Sequence, residues 1–128
     1  MNFNKFTIKS QEAIQKGQQI AESFGHQQIE NSHILKAIFE VDENVTPFIL
    51  KKLGINIELL KTLIDRTLES YSKVTGGGDV TLSRNASKML NTASIEAKNL
   101  NDWEIRMVIV FRALALCYLV AFACLVSV

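Results

Sequence analysis

A block of sequence recurs at an offset of 76 residues (83 minus 7), and this recurrence constrains the fold more than any other feature of the chain. The first copy runs from Phe6 to Ile38 and the second, less complete, begins at Leu82. Placing Thr7 on Ser83 brings Ile14 onto Leu90, Gly17 onto Ala93, Ala21 onto Ala97 and Ile29 onto Ile105. Large and small apolar positions shared at helical spacing are what one supersecondary unit, used twice, leaves behind.

Local chemistry supports that reading. Thr7 and Ser83 each place a hydroxyl just before an apolar-periodic run, where it can accept a bond from an otherwise unpaired amide of a first helical turn. Gly17 and Ala93 are small at matching mid-helix positions. An interior glycine costs about 1 kcal/mol against alanine, so the pattern predicts close approach by a neighbouring helix. Gly25 supplies the left-handed residue expected to stop the first helix.

Read in order, the chain is a series of helices with short joints. The first is predicted from Thr7 to Phe24, burying Ile14 and Ala21, and the second from Asn31 to Phe39, with Ile34, Leu35, Ile38 and Phe39 inward. The pair Thr46-Pro47 predicts a third helix start, with Thr46 as cap and proline in the first position, where its missing N–H does no harm. That helix ends at Leu53-Gly54, its last turn carrying Lys51 and Lys52 as a solvated complement to the helix dipole. A fourth begins near Asn56 and aligns Ile57, Leu60, Ile64 and Leu68 in one amphipathic stripe. Ser72 to Thr81, with Gly76-Gly77-Gly78, reads as a flexible surface loop joining the two copies.

Several function classes are excluded at this level. With 14 Lys and Arg against 13 Asp and Glu, net charge +1, there is no basic cluster to grip nucleic acid. The glycine run lacks the lysine, hydroxyl and strand of a phosphate-binding loop. His26 and His33 lack the company a metal site needs and are assigned to loop and helix-start roles. No Ser-His-Asp or Cys-His set has local support, so no catalytic residue and no cofactor are expected. Cys117 and Cys124 would lie about 10 Å apart along a helix, too far for a disulfide. No apolar leader precedes Phe6, and a cytoplasmic location is the expectation. At 128 residues, 48% of them apolar, the chain can bury one core.

Several separated segments then agree in order and spacing with one family. The opening FTIKSQEAI, the stretch GHQQIENSHILKAI, the stretch NVTPFILKKLG and the glycine-rich joint before LSR resemble the amino-terminal domain of the Clp chaperones, and among them the ClpB-type disaggregases most. The resemblance covers Met1 to Ile105. It implies an all-α fold, a tandem repeat of a four-helix unit, with the first repeat in residues 1–75, a linker in 76–81 and the start of the second in 82–105. It also implies a non-enzymatic domain seated on an AAA+ hexamer, capturing unfolded or aggregated polypeptides for passage to the central pore. The ATPase modules of such a machine are not in this sequence.

Two substrate-binding residues carry over from the resemblance. Thr7 falls at a hydroxyl of the client-contacting surface, and Asp102 at the acidic residue opening the loop after the second repeat's first helix. Read without the family, Thr7 is an N-cap and Asp102 a solvated loop carboxylate. Cap and contact are compatible.

After Ile105 the sequence departs from that pattern. A helix start of the Ser-x-Glu-His kind is expected, and Met107, Val108 and Ile109 stand there instead, so a family glutamate of the contact surface is missing. All 13 acidic residues precede Met107, and Arg112 is the only Lys, Arg, Asp or Glu after it. The second repeat thus reads as truncated or altered, with an apolar tail in 106–128. That tail has three readings: a membrane span of roughly 30 Å, a replacement core helix against Leu90, Ala93 and Ala97, or the product of an altered reading frame or truncation, which is favoured because the family features stop abruptly. Each predicts poor solubility or self-association through Val108 to Val126, since a helix apolar all round must be covered. The competing functions are a tail-anchored membrane protein with a helical head and an inactive remnant.

Overall fold

The computed structural model describes residues 6–76 and 78–99, the side chain of Ala97 excepted. Five α-helices are found among them: α1 (Ile8–Ser23), α2 (Asn31–Val41), α3 (Val45–Lys52), α4 (Ile57–Ser70) and α5 (Arg84–Asn99). Two two-residue strands, β1 (Gln28–Ile29) and β2 (Thr81–Leu82), pair in parallel. The all-α expectation therefore stands, with one short bridge added. Ala97 as a packing residue, Asp102, Trp103, Ile105 and the whole tail lie outside the described residues. Among the described residues no helix is long and apolar enough to cross a membrane.

Each helix boundary has a local cause. Thr7 accepts a bond from the Ser10 amide at 3.2 Å and starts α1. The helix ends in a Schellman arrangement: Gly25, at φ 72°, donates to the Glu22 carbonyl, and His26 donates back to Ala21 at 2.9 Å. This turn sends the His26 side chain inward. Asn56 caps α4 by accepting from the Leu59 amide at 3.1 Å.

The start of α3 differs from the sequence expectation. Thr46 is not the cap; the Asp42 carboxylate is. Its oxygens accept from the amides of Asn44, Val45 and Thr46 and from the Thr46 hydroxyl, at 2.9 to 3.3 Å. A carboxylate beyond the helix end reaches several free amides at once, which a threonine hydroxyl cannot, and its charge complements the dipole. Pro47 is consequently the third helical residue, where its amide would still have lacked an intrahelical partner. Burial alone would raise the Asp42 pKa, but the bonds from Val45 and Thr46 outweigh it and hold the carboxyl below its ordinary range.

The core gathers Ile34, Leu35, Leu50, Leu68 and Leu90, all fully buried. Burying each such side chain contributes roughly 1.5–3 kcal/mol. α1 packs chiefly on α2, and Gly17 is the reason they approach so closely. A Cβ there would stand 3.4 Å from the Ile34 Cα. In α4 the predicted stripe holds, with Leu60, Ile64 and Leu68 buried and Ile57 partly so. Ile14 packs against the core but is only partly buried.

Candidate functional site

At the start of α1, chain geometry and exposure separate neighbouring residues sharply. Phe6 is buried, and its carbonyl accepts from the Gln11 side chain at 2.8 Å. Thr7 is half-buried, its Oγ1 held by the Ser10 amide and lying 2.9 Å from the Ser10 hydroxyl. Ile8, the next residue, is 76% exposed, the highest value among the exposed large apolar side chains. The turn thus anchors itself through Phe6 and Thr7 while presenting Ile8 outward. Of the two residues expected to contact a client, Thr7 stands beside this exposed group, and Asp102 lies outside the described residues.

A second set of exposed apolar groups occupies α3 and the first turn of α4. Val45 and Phe48, at i and i+3, share one face of α3, and Phe48 is 62% exposed. The Lys52 ammonium sits 5.6 Å from its ring centroid, so this cation covers part of the aromatic face. Leu53 and Leu59 are also more than half exposed. Lys51 and Lys52, expected as a solvated last turn, are both exposed there.

The junction between β1, α2 and α5 holds a buried polar chain that neither spacing nor composition predicts. His26 Nδ1 lies 2.8 Å from His33 Nε2, both rings being buried. His33 Nδ1 accepts from the Glu30 amide at 2.8 Å. That backbone donor fixes the tautomer: His33 carries its proton on Nε2 and donates it to His26 Nδ1. The Glu30 carboxylate accepts from the Ser83 hydroxyl at 2.9 Å, and the Ser83 oxygen caps α5 by accepting from the Ala86 amide at 3.0 Å. Burial, and then the neighbouring His26, push the His33 pKa down to about 4. Burial, and then Lys73, lower that of His26 as well.

One signal for this chain is present in the sequence. His33 is the third residue of α2, the place where a capping box carries Glu or Gln reaching back to the N-cap amide, and here histidine performs that bond. Three alternate carbonyls, those of Gly25, Gln27 and Ile29, accept from the amides of Val74, Thr81 and Ser83. The segment Ser72 to Thr81 is therefore tied down at both ends, where its composition suggests only a surface loop.

Neither a small-molecule pocket nor a metal centre stands out among the described residues. Two clefts of about 200 Å³ each, one between α2 and α4 and one beside His26 and Tyr71, fall short of the roughly 300–1,000 Å³ of small-molecule sites. No group of three or more His, Cys, Asp or Glu could hold a metal ion there. What the described surface offers is helix-borne apolar side chains, Ile8 and Phe48 among them.

Comparison with known proteins agrees with the resemblance read from the sequence. Residues 5–116 match the family described as the Clp repeat (R) N-terminal domain, so the match continues past Ile105 into the apolar tail. The chaperone protein ClpB of Bacteroides thetaiotaomicron is 45% identical over 102 residues, 80% of this chain and 12% of the relative. That of Porphyromonas gingivalis is 36% identical over the same length and shares. The Rickettsia felis protein is 34% identical over 116 residues, 89% of this chain and 14% of its own length. The chain spans only about 12% of the length of the first of these relatives. Family match, helical fold and cap geometry lead to one conclusion: this chain belongs to the Clp repeat N-terminal domain family.

Proposed function

We propose that this chain is a non-catalytic recognition domain that binds exposed apolar segments of unfolded or aggregated proteins, as part of an AAA+ disaggregase of the ClpB type. The observation that carries the reading is Ile8: a large apolar side chain held 76% exposed beside Thr7, in a chain of this family. Thr7 is the proposed hydroxyl contact and Asp102 the proposed acidic one, with Thr7 also keeping its cap. Unfolded chains expose apolar groups that native proteins hide, so an outward isoleucine on a rigid helix end discriminates by availability and needs no sequence motif. A single such contact is weak. Six copies around a hexamer would raise the effective affinity through multivalency.

Fluorescence anisotropy tests this with the full chain and a labelled protein, once in its native form and once reduced and carboxymethylated so that it stays unfolded. The reading expects saturable binding to the unfolded form alone. Thr7→Ala and Asp102→Ala should each weaken it while helix content by circular dichroism stays as in the parent. Equal affinity for both forms, or none for either, would remove the proposal.

A further inference from the structure

We propose that the His26–His33 pair is a proton-operated latch that controls how firmly the start of α5 is held to the first helical unit. Hydrogen-bond directions make it one. His33 Nδ1 is occupied by the Glu30 N–H, and His26 Nδ1 by the His33 Nε2–H. Each ring has its remaining lone pair already in use as an acceptor. A proton arriving on His33 Nδ1 meets the Glu30 amide donor, and one arriving on His26 Nδ1 meets the His33 donor. Either way a bond in the chain must open, because two donors cannot face each other.

Glu30 turns that opening into a consequence for α5. Its amide contacts His33 while its carboxylate accepts from the Ser83 hydroxyl, the group that caps α5. A cationic His33 presents a new N–H at the position from which the Glu30 amide has been expelled. The nearby carboxylate is the anion best placed to take it, since charge-assisted bonds are about twice as strong as neutral ones. Ser83 then loses its acceptor, and its amide bond to the Ile29 carbonyl loses the side-chain contact that accompanies it.

The surroundings favour a sharp response. Among the described residues, the residue after α1 contributes the uncharged Phe24 ring stacked on His26, and the residue after α4 contributes Tyr71, whose ring lies 5.6 Å from His26 and 5.7 Å from His33. The joint contributes the Lys73 cation, whose charge acts on His26. Glu30 touches the pair through its amide, on His33 Nδ1, and its carboxylate is bonded to Ser83. Among the described residues bonded into this chain, Glu30 is the anion a proton can recruit, and it is holding Ser83.

Hydrogen–deuterium exchange of the full chain between pH 7.5 and pH 4.5, corrected for intrinsic rates, reads the latch directly. Protection across Thr81 to Ser87 should fall roughly tenfold per pH unit once the first proton is taken up, as expected for one proton coupled to one opening. Protection in α1 and α4 should not follow it over the same range. His33→Asn keeps an acceptor oxygen for the Glu30 amide but cannot be protonated, and should flatten the response. A parallel loss of protection in α1, α4 and α5 would overturn the proposal, as would an undiminished response in His33→Asn. Should that variant fail to fold, imidazole ¹⁵N shifts of the parent at neutral pH decide. An Nε2–H tautomer at His33 is required, and an Nδ1–H tautomer contradicts it.

Discussion

α1 and α5 begin with the same device and are held by different means. In each, a hydroxyl residue precedes the helix and accepts from the amide three residues on, Thr7 from Ser10 and Ser83 from Ala86. Thr7 is half-buried, and its further hydroxyl neighbour among the described residues is Ser10, one turn away. Ser83 is buried, donates to Glu30 and gives its amide to Ile29, both more than 50 residues earlier in the chain. Local sequence sets the cap in both cases. Tertiary structure decides whether the cap is a surface feature or a joint.

Acid should separate the two ends most. Both histidines are held below their usual pKa by burial, His33 at about 4. The unfolded chain takes up protons near pH 6.5 while the folded chain resists, so stability is complete above about 6.5 and falls as pH drops toward 4. For His33 alone the loss approaches about 3 kcal/mol, measurable as amide protection lost at the start of α5 ahead of α1. The α1 cap contains no titrating group, so Thr7→Ala should leave the shape of that pH profile unchanged.

Next comes removal of each cap. Ser83→Ala strips α5 of its cap and removes one hydrogen-bond donor from the Glu30 carboxylate, which should cost about 2–3 kcal/mol. Thr7→Ala removes only a local cap and should cost about 1 kcal/mol. Equal losses in chemical denaturation would erase the distinction between the two ends. The smallest effects belong to the mid-helix pair. Ala93→Gly should cost about 1 kcal/mol by helix propensity. Gly17→Ala gains a comparable amount and gives much of it back where the new methyl meets Ile34, so its net change should stay within about 0.5 kcal/mol.

Helix periodicity and capping chemistry are legible from side chains close together in the chain, and they place α1, α2 and α4 with their inward residues. Gly17 is legible as a close approach because a glycine inside a helix costs stability that a packed neighbour must offset. Features that depend on distant partners are not legible. The β1–β2 bridge is two residues long, too short for any alternation to register, and it exists because the carbonyls of 25, 27 and 29 meet amides from the joint. The His26–His33 contact joins a loop to a helix start. Thr46 reads as a cap because Asp42, four residues earlier, has the look of an ordinary turn residue. At the candidate site, Thr7 follows from the family resemblance, whereas the outward set of Ile8 depends on the packing of Phe6 and the first turn.

Ile8→Ser tests the functional account most directly, because the side chain is exposed and its loss leaves the core and the Thr7 cap in place. Affinity of the full chain for a reduced, carboxymethylated protein should drop roughly ten- to hundredfold, the worth of one buried isoleucine, with the thermal midpoint unchanged. Undiminished binding by a folded Ile8→Ser chain would contradict the assignment of the α1 start as the surface that meets the client.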